Sequence, residues 1–226
     1  TVAITGGGTG LTYTPATDYC NSLAGTTDDF TYTLTPGSAV ATVRVSVTCI
    51  NDAPAFTLPA AQIAPPAAAL VFSTGNGNAI SVADVDAGTG LLQLELVAED
   101  GTLTLADTSG LATVTGNGSA AVAATGTLAA LNAAVDGLSF VSPLSAPADG
   151  VVTLSISVND QGNSGAGGAL SDAGTIDVAI DTAPTVTATT PANGATTADN
   201  VALSITFSEA VDVAAGGVTL VCGGGN

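Results

Sequence analysis

The chain has 226 residues, of which 19 are acidic, one is basic and none is histidine, so its formal net charge at pH 7 is -18. Such a surface repels nucleic acid and anionic lipid head groups, because binding to either depends on Lys or Arg to neutralise phosphate. The 46% hydrophobic content excludes the composition of a disordered chain, and no apolar run reaches the length of a membrane-spanning helix. We therefore expect no nucleic-acid partner and no membrane insertion in this segment. Divalent cations are the natural counter-ions for such a surface, which favours cation binding. The alternative is that the acidic surface only confers solubility.

The first segment, residues 1–52, contains a predicted β-hairpin. Apolar residues alternate with threonine over residues 30–34, and a second apolar alternation follows the Pro36-Gly37 turn over residues 41–49. A period of two residues is typical of half-buried strands, and Pro-Gly is a turn signal. The segment is too short for a whole sandwich domain, so we expect it to be the C-terminal part of one.

Two cysteines frame this hairpin. Cys49 lies on its apolar face, and Cys20 precedes its first strand. An oxidising extracellular environment favours a disulfide between them, which would stabilise the fold by about 3.6 kcal/mol in the chain-entropy model. The alternative is a pair of separate buried thiols.

The second segment, residues 53–181, is predicted to be a complete β-sandwich domain. It follows Asn51-Asp52-Ala53-Pro54 and ends at Asp181-Thr182-Ala183-Pro184, so an aspartate shortly before an Ala-Pro pair occurs at both ends. Residues 128–135 are predicted to form one short amphipathic helix. The predicted strands span residues 79–85, 91–98, 101–105, 120–125, 151–158 and 175–180.

The third segment, residues 182–226, begins another β-domain. Val201, Leu203, Ile205 and Phe207 alternate with other residues, and a second alternation runs over residues 218–222. These strands are too few to close a sandwich. We expect the chain to be an internal piece of a longer secreted protein, with a partner for Cys222 beyond Asn226; completion of the partial sheets by a strand of another subunit is the alternative.

Short motifs in all three segments share one family resemblance. They are residues 11–15 (LTYTP), 29–34 (DFTYTL) and 51–54 (NDAP), residues 80–88 (ISVADVDAG) and 156–160 (ISVND), and residues 191–195 (PANGA) and 205–211 (ITFSEAV). The first two segments resemble bacterial cadherin-like repeats, and the third resembles another bacterial immunoglobulin-like (Ig-like) class. The resemblance implies an all-β fold of tandem Ig-like (cadherin-like) β-sandwich domains, the first and last incomplete. It also implies an extracellular or cell-surface location and calcium at the domain junctions.

The acids near the first junction are candidate calcium ligands, since calcium takes six to eight oxygen ligands, mainly carboxylates and carbonyls. If the first strand of the second domain runs away from the linker, the next strand returns and places Asp84 and Asp86 at the linker. The strand over residues 151–158 runs towards the same end and delivers Asp160. The predicted ligands are Asn51, Asp52, Asp84, Asp86 and Asp160, with Asp28 and Asp29 contributing from the first segment. The alternative is that these acids are separate, solvated loop residues.

A second, weaker calcium site is predicted at the next junction. There Asp181 of the linker would meet Glu209 of the third segment and Glu99 or Asp100 from a turn of the second. The third segment has no Asp-x-Asp pair, so it departs from the cadherin-like pattern.

Enzymatic chemistry finds little support in the sequence, which has no histidine base, no nucleophile elbow and no phosphate-binding loop. A paired-carboxylate glycosidase remains, but aromatic residues, which stack on sugars, make up only 4% of the chain. We expect a non-catalytic structural repeat region, a spacer, filament or surface-layer component, whose partners are neighbouring domains or copies of itself. The alternative is an adhesin module that binds a cell-surface protein or glycan; the predicted loops carry no aromatic cluster for such a contact.

Overall fold

The alternating sequence folds almost entirely as β-structure in the computed structural model, which describes residues 1–148, 150–192, 202 and 204–211. The chain divides into two units, Thr1–Asp181 and Thr182–Asn226. The all-β prediction is confirmed. Among the described residues, no helix has the length and apolar character needed to cross a lipid bilayer.

Two antiparallel hairpins make up the first segment. Their strands are β1 (Val2–Thr5), β2 (Gly10–Tyr13), β3 (Asp28–Thr33) and β4 (Val40–Val45). In the predicted hairpin, Phe30 pairs with Val43. The ring of Phe30 stacks on Tyr13 of the other hairpin, with 6.4 Å between ring centroids, so aromatic contact links the two hairpins.

The predicted disulfide between Cys20 and Cys49 is present, with a Cα–Cα distance of 4.9 Å. The predicted strand over residues 41–49, however, ends at Val45. The Asn21 side chain accepts a hydrogen bond from the Val47 amide and donates one to the Val45 carbonyl, so it takes the place of a strand partner. This pairing with a distant side chain, which alternation does not reveal, ends the strand.

The second segment contains a six-stranded, a three-stranded and a two-stranded sheet. Its elements are β5 (Ala55–Thr57), β6 (Gln62–Ala64), β7 (Ala69–Phe72), a 3-10 turn (Thr74–Asn76), β8 (Ser81–Ala83), β9 (Leu91–Ala98), β10 (Thr102–Thr104), β11 (Leu111–Thr115), β12 (Ala121–Thr127), α1 (Leu128–Val135), β13 (Leu138–Val141), β14 (Val151–Asn159) and β15 (Ser171–Ile180). The sheet orders are β11-β12-β9-β14-β15-β6, β10-β13-β7 and β5-β8. Pairing is antiparallel except between β15 and β6, which are parallel.

The core lies between these sheets. Along β9 every second residue is buried, and β14 and β15 continue the same inward face. Phe72 of β7 and Phe140 of β13 are fully buried from the smaller sheet. Inward side chains from both sheets form one hydrophobic cluster, as expected for a sandwich.

Helix α1 spans the predicted residues 128–135. The Thr127 hydroxyl accepts a hydrogen bond from the Ala130 amide at 3.3 Å and caps its N-terminus. Leu131, Ala134 and Val135 face the core, which explains why an eight-residue helix is stable in this position.

The predicted strand over residues 79–85 is wrong at both ends, because only Ser81–Ala83 pair. The Asp84 carboxylate accepts hydrogen bonds from the amides of Asp86 and Ala87, which turns the chain out of the sheet. Strands β1, β2, β5, β6, β7, β11 and β13 were not predicted. Most are three or four residues long, too short to show a period.

The second unit, Thr182–Asn226, pairs β16 (Val186–Thr190) with β17 (Ser204–Phe207) in an antiparallel hairpin. The amide of Ser208 donates to the Thr185 carbonyl and extends the pairing. The predicted strand residues Val201 and Leu203, the predicted strand over 218–222, and Cys222 lie outside the described residues.

Candidate functional site

The linker after the first segment is fixed by backbone pairing to a glycine-rich loop. The Asn51 amide donates to the Ala166 carbonyl at 3.0 Å, and the Ala166 amide donates to the Cys49 carbonyl at 2.9 Å. A Cβ atom at Gly165 would lie 2.3 Å from the Asn51 nitrogen. The backbones therefore approach so closely that residue 165 has no room for a side chain.

Asp160 directly follows β14 and is completely buried near this linker. One carboxylate oxygen accepts hydrogen bonds of 2.8 Å from the amides of Gly162 and Leu170, and the other accepts one of 2.5 Å from the Asn51 side-chain amide. Burial opposes ionisation of Asp160, but these donors outweigh it and lower the pKa of the carboxyl. Asp160 is therefore a buried carboxylate whose two oxygens both have partners.

Asp84 and Asp86 lie in the turn after β8. The Asp52 amide donates to one oxygen of Asp86 at 3.2 Å. Burial and the neighbouring Asp84 carboxyl both raise the pKa of Asp86. The Asp84 carboxyl thus lies close enough to Asp86 to disfavour the charged form of Asp86.

Three buried oxygens around the linker have no hydrogen-bond partner among the described residues. They are Oδ1 of Asn51, Oδ2 of Asp84 and Oδ1 of Asp86. The structure gives no other buried and unpartnered side-chain nitrogen or oxygen within its described part. Buried polar atoms are nearly always paired, so these three need a cation or water to complete them.

The structure brings together most of the residues predicted for the first junction. Asn51 contacts Asp160 and the backbone of Asp52 contacts Asp86, while Asp84 and Asp86 share one turn. The structure does not bring Asp28 or Asp29 into contact with this set, as far as the described residues show; their side chains have other partners.

Asp28 accepts hydrogen bonds from the hydroxyls of Tyr13 and Tyr19. Asp29 accepts one from Thr27 at 2.7 Å and forms an ion pair with Arg44 at 3.4 Å. Both acids start β3, so they serve the packing of the first segment itself.

Within the described ranges, no group of three or more Asp, Glu, Cys or His side chains is arranged to hold a metal ion. The three unpartnered oxygens described above are two carboxylate oxygens, from Asp84 and Asp86, and one amide oxygen, from Asn51. The site is therefore mixed in its donors rather than a carboxylate cage.

The residues of the predicted second junction have separate partners. An oxygen of Glu99 accepts a hydrogen bond from the Thr153 amide at 3.3 Å, and the Asp100 carboxylate accepts one from the Gly101 amide. The backbone of Asp181 donates to Ala64, and Glu209 is an exposed residue of the other unit. The second calcium site stays a prediction.

Sequence reasoning missed the role of the glycine-rich loop. Gly168 also contributes its carbonyl, which accepts a hydrogen bond of 3.0 Å from the Asn51 side chain. The only sequence signal is that this Gly-rich run directly follows Asp160, a predicted ligand.

Residues 180–225 match a family model described as a bacterial Ig-like domain. The comparisons with curated proteins and with solved structures gave no significant match. The matched region corresponds to the third segment and supports an Ig-like domain of a bacterial surface protein there, non-catalytic in character and extracellular or surface-located. The cadherin-like resemblance of the first two segments, and the division at residue 52, stay predictions.

Proposed function

We propose that this chain is a structural region of an extracellular bacterial protein whose first junction binds Ca²⁺ and is stiffened by it. The chain serves as a spacer or wall component, and its partners are neighbouring domains or copies of itself. The observation that carries the proposal is the set of three buried, unpartnered oxygens of Asn51, Asp84 and Asp86.

The chemistry of these oxygens favours calcium. Ca²⁺ accepts carboxylate, amide and backbone carbonyl oxygens together in flexible geometry and completes its shell with water, whereas Mg²⁺ demands near-ideal octahedral geometry. The net charge of -18 disfavours close approach of further anions and favours a divalent cation. Asp52 and Asp160, which contact this set, supply additional negative charge.

The position of these residues supports a stiffening role. Asn51 belongs to the linker, Asp84 and Asp86 to the turn after β8, and Asp160 to the end of β14. A cation held by all three stretches would tie the linker to two separate loops of the second segment. Opening the linker would then require loss of the ion as well as of the backbone pairing with Ala166.

Calcium titration of the whole chain tests this proposal. After chelation, added Ca²⁺ is expected to raise Tm, and a concentration one hundred times the Kd contributes about 2.7 kcal/mol of stability. The variant Asp84→Asn/Asp86→Asn is expected to lower the apparent calcium affinity by at least about tenfold, because it removes two formal charges from the ligand set. Mg²⁺ is expected to have a much smaller effect.

The matched control is Asp107→Asn, which removes the charge of an exposed acid whose carboxylate accepts a hydrogen bond from the Ser109 amide. This variant should bind calcium as the wild type does. A wild-type Tm that ignores calcium, or a double variant that binds it unchanged, would overturn the proposal.

A further inference from the structure

Six positions in the chain place Gly directly after Asn or Asp. They are Asn76-Gly77, Asp100-Gly101, Asn117-Gly118, Asp136-Gly137, Asp149-Gly150 and Asn193-Gly194. Gly has no side chain to block its own backbone nitrogen, so that nitrogen can reach the side-chain carbonyl carbon of the preceding residue. Whether it does so depends on how the fold holds the two groups.

In four of these pairs the glycine amide donates a hydrogen bond to the backbone carbonyl of another residue. The amide of Gly77 donates to the Thr74 carbonyl, that of Gly118 to the Leu103 carbonyl at 2.8 Å, that of Gly137 to the Phe72 carbonyl at 2.7 Å, and that of Gly150 to the Pro147 carbonyl at 2.9 Å. In each case the glycine nitrogen is directed at another residue.

Asp136 is protected on its side chain too. One carboxylate oxygen accepts from the Thr74 amide at 2.8 Å and the other from the Thr74 hydroxyl at 3.1 Å. Asp136 is exposed, as Asp100 is, so the two Asp-Gly pairs differ in bonding and not in access to water.

Asp100-Gly101 has the opposite arrangement. The Gly101 amide donates to the carboxylate of Asp100 itself, with 2.7 Å between nitrogen and Oδ1. The pair lies in the turn between β9 and β10, where Gly101 has a φ of +93°. The fold therefore holds the nitrogen in contact with the carboxyl group that it would attack, and such proximity favours the reaction.

We propose that Asp100 is a site of spontaneous succinimide and isoaspartate formation in the folded protein. The Gly101 nitrogen bonds to the Asp100 Cγ, the amide proton is lost, and the carboxyl hydroxyl leaves with a proton as water. Water then adds to either carbonyl of the five-membered ring. Opening at one carbonyl restores aspartate; opening at the other places the side-chain methylene in the backbone and gives isoaspartate. The only co-reactant is water.

The product would disturb a tight turn. A Cβ at Gly101 would already lie 2.4 Å from the Val141 carbonyl, so the backbone here has little room to move. The neighbouring Glu99 amide donates to the Thr153 carbonyl, and Thr102 pairs with Val141. An inserted methylene would strain both pairings. Isoaspartate would therefore accumulate with the age of the protein at one end of the β-sandwich of the second segment.

Incubation of the intact chain in H₂¹⁸O at mildly acidic pH tests the proposal. Each ring opening adds one ¹⁸O, and peptide mass spectrometry locates it. In the folded protein we expect Asp100 to incorporate label at least about tenfold faster than Asp136, since only Asp100 is held in position for attack. In urea the two Asp-Gly pairs should label at similar rates.

Two variants sharpen the result. Asp100→Asn should react faster at neutral pH with release of ammonia, and Asp100→Glu should stop the reaction, because its ring would have six members. Equal labelling of Asp100 and Asp136 in the folded protein, or label at Asp136 alone, would overturn the proposal. So would the absence of label at Asp100 over the time in which the unfolded chain reacts.

Discussion

The first and second segments of the Thr1–Asp181 unit are stabilised in different ways. The second has a continuous hydrophobic cluster running from Ala64 to Ile180, to which residues 1–52 contribute nothing. The buried residues of the first segment are Asn21, Cys49 and Asn51, two amides and half of a disulfide. A small segment with little core thus depends on a covalent bond, side-chain hydrogen bonds and its attachment to a larger neighbour.

The largest expected effect comes from the core of the second segment. Phe140→Ala removes a fully buried ring and should lower the free energy of unfolding by about 3–5 kcal/mol. Phe30→Ala removes the same atoms from a half-buried position in the first segment and should cost only about 1–2 kcal/mol. Denaturant unfolding measures both, and equal costs would contradict the comparison.

The disulfide should matter almost as much, but only locally. Replacing Cys20 and Cys49 by Ser should cost about 3.6 kcal/mol, the entropy of the loop that the bond closes. Hydrogen exchange should accelerate in β3 and β4 and stay unchanged in β9 and β14. Cys222→Ser is the matched control. Faster exchange throughout the β-sandwich of the second segment would show that the two segments are not stabilised separately.

The smallest effect on stability should come from the hydrogen bonds of Tyr13 and Tyr19 to Asp28, since exposed interactions are screened by water. Hydrogen bonds from Tyr13 and then Tyr19 lower the pKa of Asp28, and the same carboxylate raises the pKa of Tyr13 to about 12. The stability contributed by Tyr13 is therefore complete below its ordinary pKa of 10.0 and is lost as the pH rises towards 12.

The Asp28 contribution has the opposite sign with pH. It is present above the ordinary pKa of 3.8 and is lost as the pH falls below that value through the lowered pKa. Tyrosinate absorbance, followed as a function of pH in the wild type and in Asp28→Asn, measures the effect of Asp28 on the pKa of Tyr13. In the variant the Tyr13 transition should move back towards 10, and an unchanged titration would contradict the hydrogen bond.

Elements with a long, regular period were predictable from the sequence. The strand over residues 91–98 and the helix over 128–135 occur with the predicted bounds. Burial alternates without interruption along the strand, and the buried residues of the helix, Leu131, Ala134 and Val135, follow a helical spacing. The disulfide was also predictable, since Cys20 and Cys49 flank one hairpin. Short strands such as β5 and β6 were not, because three residues between prolines show no period and pair only through tertiary contacts.

That Asn51, Asp52, Asp84, Asp86 and Asp160 lie near one another could be predicted from the sequence, but their hydrogen bonds could not. Strand direction alone placed Asp84, Asp86 and Asp160 near the linker. The sequence could not show that Asp160 would satisfy both oxygens with protein donors, or that Asp28 would bond to two tyrosines 15 and 9 residues away. Those outcomes depend on loop conformations that no periodicity encodes.

The parallel pairing of β6 with the end of β15 has a consequence for solubility. Strand β15 is ten residues long and would otherwise end the large sheet with an open row of amides and carbonyls. The strand that pairs with its last three residues, Val178–Ile180, is Gln62–Ala64. Pro59 on one side of this strand and Pro65 and Pro66 on the other lack an amide proton. At Val178–Ile180 the sheet thus finishes in a border too short and too poor in donors to recruit a strand from an adjacent molecule.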